Sequence, residues 1–365
     1  MATVTHSSPA SFPDVPATDW RSVAPDLEVA PMQSGAPAAG MRVWQQLPEY
    51  ADTGVYHALY LPSDWSAQAP RRFPLLVEYA GNGDYADAYG DTCSGRVEDC
   101  NLGYGLSAGQ GFLWLCLPFV NSATRSNEKL WWGDAGATAA YCRQAVHAVC
   151  RDFYADPNAV ILTGFSRGAI ACSYLGLRDE SIADLWLGLL AYSHFDGVRR
   201  WPYADSDPAS AAARLRRLRG RACLICDEAG TAATEAFVAS TQVQAPFTFL
   251  RTPFRNHSDR WALRDTPARV AARRWLAEVL ETRPGTHTIR GRITDRGGRG
   301  VAGVRLDSGP THFAYTDSVG HYSLPGLIDS ARVLQPLKRG RTFTPARCEL
   351  RIDGADVVGV NFTAL

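Results

Sequence analysis

The chain has 365 residues, an ordinary apolar fraction of 46%, and 37 basic side chains against 37 acidic ones. That length is enough for two domains, one of them a large α/β unit. Balanced charge argues against nucleic acid or an anionic membrane as the main partner, and no apolar run approaches the roughly 20 residues needed to cross a bilayer. Basic charge is almost all arginine, since the only lysines are Lys129 and Lys338.

The opening, MATVTHSSPASFPDVPATDW, has neither a basic stretch nor an apolar core, and does not read as a signal peptide. Residues 1–40 are rich in Pro, Ala and Ser with little periodicity, and read as an extended arm or linker. From residue 41 to 283 the pattern is that of an α/β domain. GVYHALYLP (54–62) alternates like a strand, FPLLVEYAGNG (73–83) is a buried strand entering a glycine-rich loop, and GFLWLCLPFV (111–120) is a further apolar strand. A helix follows, with Cys142, Val146, Val149 and Phe153 on one stripe. The turn Asp156-Pro157-Asn158 leads into a strand over Ala159–Thr163.

Helices around Ala169–Leu177, Pro208–Leu218 and TAATEAFVAS then alternate with strands around 187–193, 222–226 and 247–254. A last helix opens at Thr266-Pro267, with threonine as cap and proline in the first turn. Such alternation predicts a mostly parallel sheet flanked by helices on both faces. From 287 to 365 the text changes to short alternating strands and Gly/Asp turns without a helix period, which predicts a small antiparallel β-sandwich.

Nine cysteines are present. Cys93 and Cys100 flank a Gly/Ser/Asp loop and can close a short disulfide there. Cys142 and Cys150 lie about 12 Å apart along one helix and cannot pair. No paired cysteines meet a histidine cluster, so no zinc pattern is present. Nothing suggests a metal or an organic cofactor.

Two serines fit G-x-S-x-G: Ser107 in GLSAG and Ser166 in GFSRG. The motif marks a nucleophile only on a sharp turn from strand to helix. Ser166 has that context, with Val160-Ile161-Leu162-Thr163 before it and the small residues Gly168, Ala169 and Ala171 after it. Ser107 has the reverse order and reads as part of a glycine-rich loop. A serine hydroxyl needs a base, and the base needs an orienting acid. His257, in TPFRNHSDRWALRDTP after the last strand, is the best-placed histidine. His194, in AYSHFDG, reads as lining the pocket. The acid is open among Glu228, Asp227 and Asp196. The attacked carbonyl's oxygen needs backbone donors; Arg167 offers one, and Gly81 or Asn82 the other.

The stretches VEYAGNG and GFSRGA and the His257 loop resemble the α/β-hydrolase esterases, in the style of polyhydroxyalkanoate depolymerases and feruloyl or acetylxylan esterases. Tyr79-Ala80 departs from the His-Gly pair common there, and the acid loop is out of step. IRGRITDRGGRGVAGVRL, TDSVGHYSLPGL and TFTPARCELRIDGADVVGVNFTA resemble the carboxypeptidase-regulatory-like or Cna-B-type sandwich. The resemblance implies a serine esterase acting on polysaccharide-linked or polyester substrates, without cofactor, in a secreted or extracytoplasmic setting. It leaves open a serine peptidase or acyltransferase, or a binding scaffold that uses the terminal sandwich. Trp131-Trp132 can stack on a substrate ring or anchor the core. The arginines at 214, 216, 217, 219 and 221 read as a solvated helix face.

Overall fold

The computed structural model of the protein describes residues 18–69, 72–283, 287–308, 313–327 and 330–365. The described residues form two compact units, the first made of 18–67 and 73–280, the second of the described residues from 281 onward.

The first unit is organised on a nine-stranded sheet. Its strands are β1 (Met32–Gln33), β2 (Arg42–Gln45), β3 (His57–Tyr60), β4 (Phe73–Tyr79), β5 (Leu113–Leu117), β6 (Ala155–Phe165), β7 (Gly188–Tyr192), β8 (Ala222–Asp227) and β9 (Phe247–Arg251). Their order across the sheet is β1-β2-β3-β5-β4-β6-β7-β8-β9. β3 is antiparallel to both neighbours, and every other pairing is parallel. The central strands are unbroken apolar runs such as LWLCL and GLLAY, buried at every position. That composition suits strands covered on both faces.

The covering helices are α1 (Leu102–Ser107), α2 (Ala135–Asp152), α3 (Arg167–Tyr174), α4 (Pro208–Leu215), α5 (Ala232–Thr241) and α6 (Pro267–Glu281). α2 starts where Asp134 accepts the N–H of Ala137, and buries Tyr141, Cys142, Ala145, Val146 and Val149 at helical spacing. α4 starts the same way, with Asp207 accepting from Ala209 and Ser210 and a proline in the first turn.

Three local expectations need correcting. The stretch around Ser107, read as a loop, is the helix α1. Its glycines are there for contact: a Cβ on Gly103 would lie 2.2 Å from the Trp114 ring, and one on Gly105 would lie 2.4 Å from the Ala262 carbonyl. The buried Glu78 carboxylate accepts the N–H groups of Leu102 and Gly103, replacing the usual side-chain cap. Next, β6 begins at Ala155 rather than Ala159, with the expected turn absorbed as a register irregularity before Val160. Finally, Cys93 and Cys100 are both free thiols, and the expected disulfide between them is not formed.

Residues 18–40, read as an arm, belong to the first unit, and residues 1–17 of the expected arm lie outside the described residues. Trp20, Val23, Val29, Ala30 and Met32 pack on its core cluster, and Met32–Gln33 adds the edge strand β1.

The second unit has the strands β10 (His287–Asp295), β11 (Arg305–Asp307), β12 (Phe313–Tyr315), β13 (His321–Leu327), β14 (Ser330–Leu337), β15 (Phe343–Thr344), β16 (Cys348–Ile352) and β17 (Phe362–Ala364). They form two four-stranded sheets, β13-β10-β17-β15 and β12-β11-β14-β16. All pairings are antiparallel except β10 with β17. Ile289, Ile293, Leu306, Leu324, Leu334, Ile352 and Phe362 make its core. Among the described residues, no helix is long and apolar enough to cross a membrane.

Candidate active site

The sheet register sets the site. Gly164 pairs with Tyr79, Phe165 with Tyr192, and Tyr192 with Cys226. The residues just past these ends, Ala80-Gly81, Ser166, Ser193 and Asp227-Glu228, therefore emerge at one edge of the sheet. The chain leaves β4 towards β5 on one side and returns to β6 on the other, so this edge lies at a topological switch point.

Ser166 occupies the turn from β6 into α3 with φ 55° and ψ −114°, a left-handed conformation strained for a residue with a side chain. Its N–H is held by the Tyr192 carbonyl at 2.8 Å. Strand and helix approach so closely here that a Cβ on Gly164 would lie 2.2 Å from the Gly168 carbonyl oxygen. A Cβ on Gly168 would lie 2.0 Å from the Tyr79 oxygen. The glycines two before and two after the serine are thus required by contact.

His257 follows β9, on the loop that ends where Ser258 caps a short 3-10 helix, Asp259–Leu263. Its Nε2 lies 2.9 Å from Ser166 Oγ and its Nδ1 lies 2.8 Å from Glu228 Oε1. Tyr85 and Phe165 hold the imidazole, with ring centroids 4.7 and 4.8 Å away. Burial raises the Glu228 carboxyl, but the hydrogen bond and charge of His257, with the Ser193 hydroxyl, leave it below its ordinary value.

The other two candidate acids lie elsewhere. Asp227 ends β8 and accepts the N–H of Ala229; burial first, and the neighbouring Glu228 second, push it up to about 6. Asp196 is buried and forms an ion pair with Arg214 (Nε–Oδ2 2.8 Å), while Ser173 and Tyr203 donate to it. Arg214 therefore leaves the solvated arginine face expected for it.

His194 sits beside His257, its ring 5.2 Å from the imidazole and 5.2 Å from Trp201. Burial, reinforced by His257, lowers it to about 4, so it is neutral at pH 7. Trp131 is half-buried and continues this wall, 5.4 Å from Trp201. Trp132 is 4% exposed and stacks on Tyr174 at 4.9 Å, which is a core role. Gly81 and Asn82 follow β4; a Cβ on Gly81 would touch Phe165 at 2.9 Å, which places this loop against the Ser166 turn. Arg167 opens α3, where a first-turn N–H has no partner within the helix. Ser107 is spent locally, donating to the Gly103 carbonyl at 2.9 Å.

Ser193 was not singled out from the sequence. Its hydroxyl donates to Glu228 Oε1 at 2.7 Å and lies 2.7 Å from His257 Nδ1. The only signal available was its position one residue past a buried strand, beside His194.

Among the described residues, one group has the proximity of metal ligands: Glu78, Cys100 and Cys116, with ligand atoms within 4.8 Å. Its chemistry fits a cation poorly. The Glu78 oxygens already accept from the N–H groups of Asn101, Leu102 and Gly103 and from Trp114 Nε1. The Arg42 guanidinium donates to Cys116 Sγ at 3.6 Å, so a positive charge already faces the group.

No protein-family model matches the chain, and no curated protein matches it in sequence. Solved structures similar to it are esterases and other hydrolases. One is a ferulic acid esterase (12% identity, covering 67% of this chain and 98% of that one, TM-score 0.42). Another is a sugar hydrolase from Lactococcus lactis (13% identity, 66% and 98%, TM-score 0.45). A third is the AtxE2 isopeptidase (13% identity, 66% of this chain, TM-score 0.41), of which the chain spans 43%; it spans 62% of a thermostable esterase.

Proposed function

We propose that the protein is a serine hydrolase that cleaves carboxylic esters through an acyl-enzyme on Ser166. The observation that carries this reading is the chain of two short contacts, Ser166 Oγ to His257 Nε2 and His257 Nδ1 to Glu228, built on a strained strand-to-helix turn. With Nδ1–H held by Glu228, Nε2 is free to accept the serine proton as Oγ adds to the ester carbonyl. The N–H of Arg167 and that of Asn82 or Gly81 receive the negative oxygen. The tetrahedral species collapses, and the alcohol leaves with the proton from Nε2. Water then gives its proton to Nε2 and adds to the acyl carbonyl, releasing the acid and restoring Ser166.

In this reading residues 41–283, together with the packed segment 18–40, are the catalytic domain, and 287–365 an appended sandwich. The substrate is an ester attached to polysaccharide or within a polyester, and the setting is extracytoplasmic; both rest on the esterase-like and sandwich-like sequence motifs. His194 and Trp131 line its pocket.

A fluorophosphonate probe tests the chemistry. Wild-type protein is expected to be labelled at Ser166, and Ser166→Ala to remove the label. Panels of esters and amides then separate esterase from peptidase, and an added alcohol acceptor separates hydrolysis from acyl transfer. Native protein that ignores the probe but retains a glycan would fit a scaffold instead.

A further inference from the structure

The Arg167 side chain is nearly fully buried, at 1% exposure. Among the described residues no carboxylate pairs with its guanidinium. Its partners are three main-chain carbonyls: Trp131 at 2.7 Å, Gly81 at 2.8 Å and Gly95 at 3.3 Å. The ring of Phe119 lies against it, 3.8 Å from centroid to Cζ, and among the described residues Nε has no partner. Burial lowers its pKa to about 9. For stability alone this is a poor choice, because an apolar side chain of similar volume would fill the space without desolvating a charge. A buried cation with an unmet donor calls for another explanation.

Of the three carbonyls, that of Gly81 and that of Gly95 lie on the connection from β4 to α1, and that of Trp131 lies on the connection from β5 to α2. The first is decisive. In a planar trans peptide the C=O and the following N–H point in opposite directions. Drawing the Gly81 carbonyl onto Arg167 therefore turns the Asn82 N–H away from the guanidinium. The Asn82 side chain is fixed by the same partner loop, since its Oδ1 accepts the Trp131 N–H at 2.7 Å while the Trp131 carbonyl accepts from Arg167. Gly81, Asn82, Trp131 and Arg167 thus form a closed ring of hydrogen bonds next to Ser166.

We propose that the Arg167 guanidinium is a positioning residue, which holds the Gly81–Asn82 peptide so that the Asn82 N–H faces the oxyanion. The residue beside the nucleophile supplies one donor with its own N–H and orients the second with its side chain. This inference rests on the hydrolase reading above. A preformed donor pair acts on the tetrahedral species far more than on bound ester, which is what a purely structural arginine would not do.

The experiment compares Arg167→Met, which roughly keeps volume and loses every side-chain donor, with wild-type protein. The readouts are kcat and KM for p-nitrophenyl acetate, the inhibition constant of phenylboronic acid, whose serine adduct is tetrahedral and anionic, and the melting temperature. The expected result is a kcat lower by about 10²–10³-fold, KM within about threefold, and boronate binding weakened in step with kcat. Asn82→Ala, which leaves Arg167 untouched and cuts the tie to Trp131, should lower kcat and boronate affinity together by about tenfold; it decides the matter should Arg167→Met fail to fold. Unchanged kcat in a folded variant, a loss carried by KM, or a kcat loss with intact boronate binding would overturn the inference. Wild-type protein that neither hydrolyses the ester nor takes the fluorophosphonate probe would refute the hydrolase reading first, and this one with it.

Discussion

Ser193 Oγ lies 2.7 Å from both Glu228 Oε1 and His257 Nδ1, which are themselves 2.8 Å apart. The three atoms close a triangle on the side of the imidazole away from Ser166. Among the described residues Glu228 Oε2 is buried without a partner, and Oε1 takes the hydrogen bonds from Ser193 and His257. Ser193 holds φ 82° while its N–H binds the Cys226 carbonyl at 2.8 Å. A strained, buried serine in such a place is expected to have a role. Ser193→Ala should lower kcat for ester hydrolysis by about 10- to 100-fold, the worth of a hydrogen bond to a charged group. Steady-state kinetics checks this, and a kcat equal to wild type would remove Ser193 from the mechanism.

The three carboxylates should separate cleanly on substitution. Glu228→Gln keeps the shape and loses the charge facing His257, and kcat should fall by about 10⁴-fold. Asp227→Asn should leave kcat nearly unchanged, because Asp227 faces the Ala229 N–H. Asp196→Asn should act on stability instead, costing about 3–5 kcal/mol by leaving the Arg214 guanidinium buried without its partner. Kinetics and thermal melts on the three variants would expose a different assignment at once.

Acid should destabilise the fold through buried imidazoles. Desolvation lowers His57 from 6.5 to about 4, and its Nδ1 is engaged with the Tyr141 hydroxyl at 2.8 Å. Above about pH 6.5 both folded and unfolded chains carry it neutral, and its contribution is complete. Between pH 6.5 and 4 the unfolded chain takes up a proton that the native chain refuses, so stability falls as pH falls, by up to about 3 kcal/mol. Denaturant titrations across this window should show the loss. In His57→Gln the slope should be shallower, and an unaltered slope would assign the acid sensitivity to other groups.

The loop bearing His257 is held by residues 18–23. The Trp20 N–H donates to Asn256 Oδ1 at 3.0 Å, and Asn256 Nδ2 donates to the buried Asp91 at 2.9 Å. Trp20 Nε1 reaches Asp91 as well, and Arg264 binds the carbonyls of Trp20 and Val23. Asn256→Ala should cost about 1–3 kcal/mol of stability through the unmet partners it leaves, and should lower kcat because His257 is the next residue. A variant with a lower melting temperature but full kcat would show that the imidazole is fixed from elsewhere.

Much of this arrangement could be read along the chain, and the failures have physical causes. Val160-Ile161-Leu162-Thr163 before Ser166 and small residues after it specify a turn between buried strand and helix. The loop after the last strand singles out His257, and these two side chains lie 2.9 Å apart. The choice between Asp227 and Glu228 was not legible, since neighbours at a strand end point in different directions and only the backbone path decides which one reaches the imidazole. α1 was hidden because its glycines argue against a helix, and they are there to touch Trp114 and Ala262. Residues 18–40 carry no periodicity because they are anchored by isolated side chains such as Trp20 and Met32 rather than by a continuous face. Ser193 and the Arg167 guanidinium act through contacts between distant segments, which no local pattern records.

The missing space at Gly164 and Gly168 also limits how this protein can be re-engineered. Neither position admits a methyl group, Phe165 is wedged between the imidazole and Tyr192, and Arg167 is tied to three main-chain carbonyls on two connections. Randomising the pentapeptide around Ser166 would therefore yield mostly collapsed proteins. Libraries seeking new substrates should start at His194, which borders the His257 imidazole, and at Trp201 and Trp131, which extend the wall beyond it.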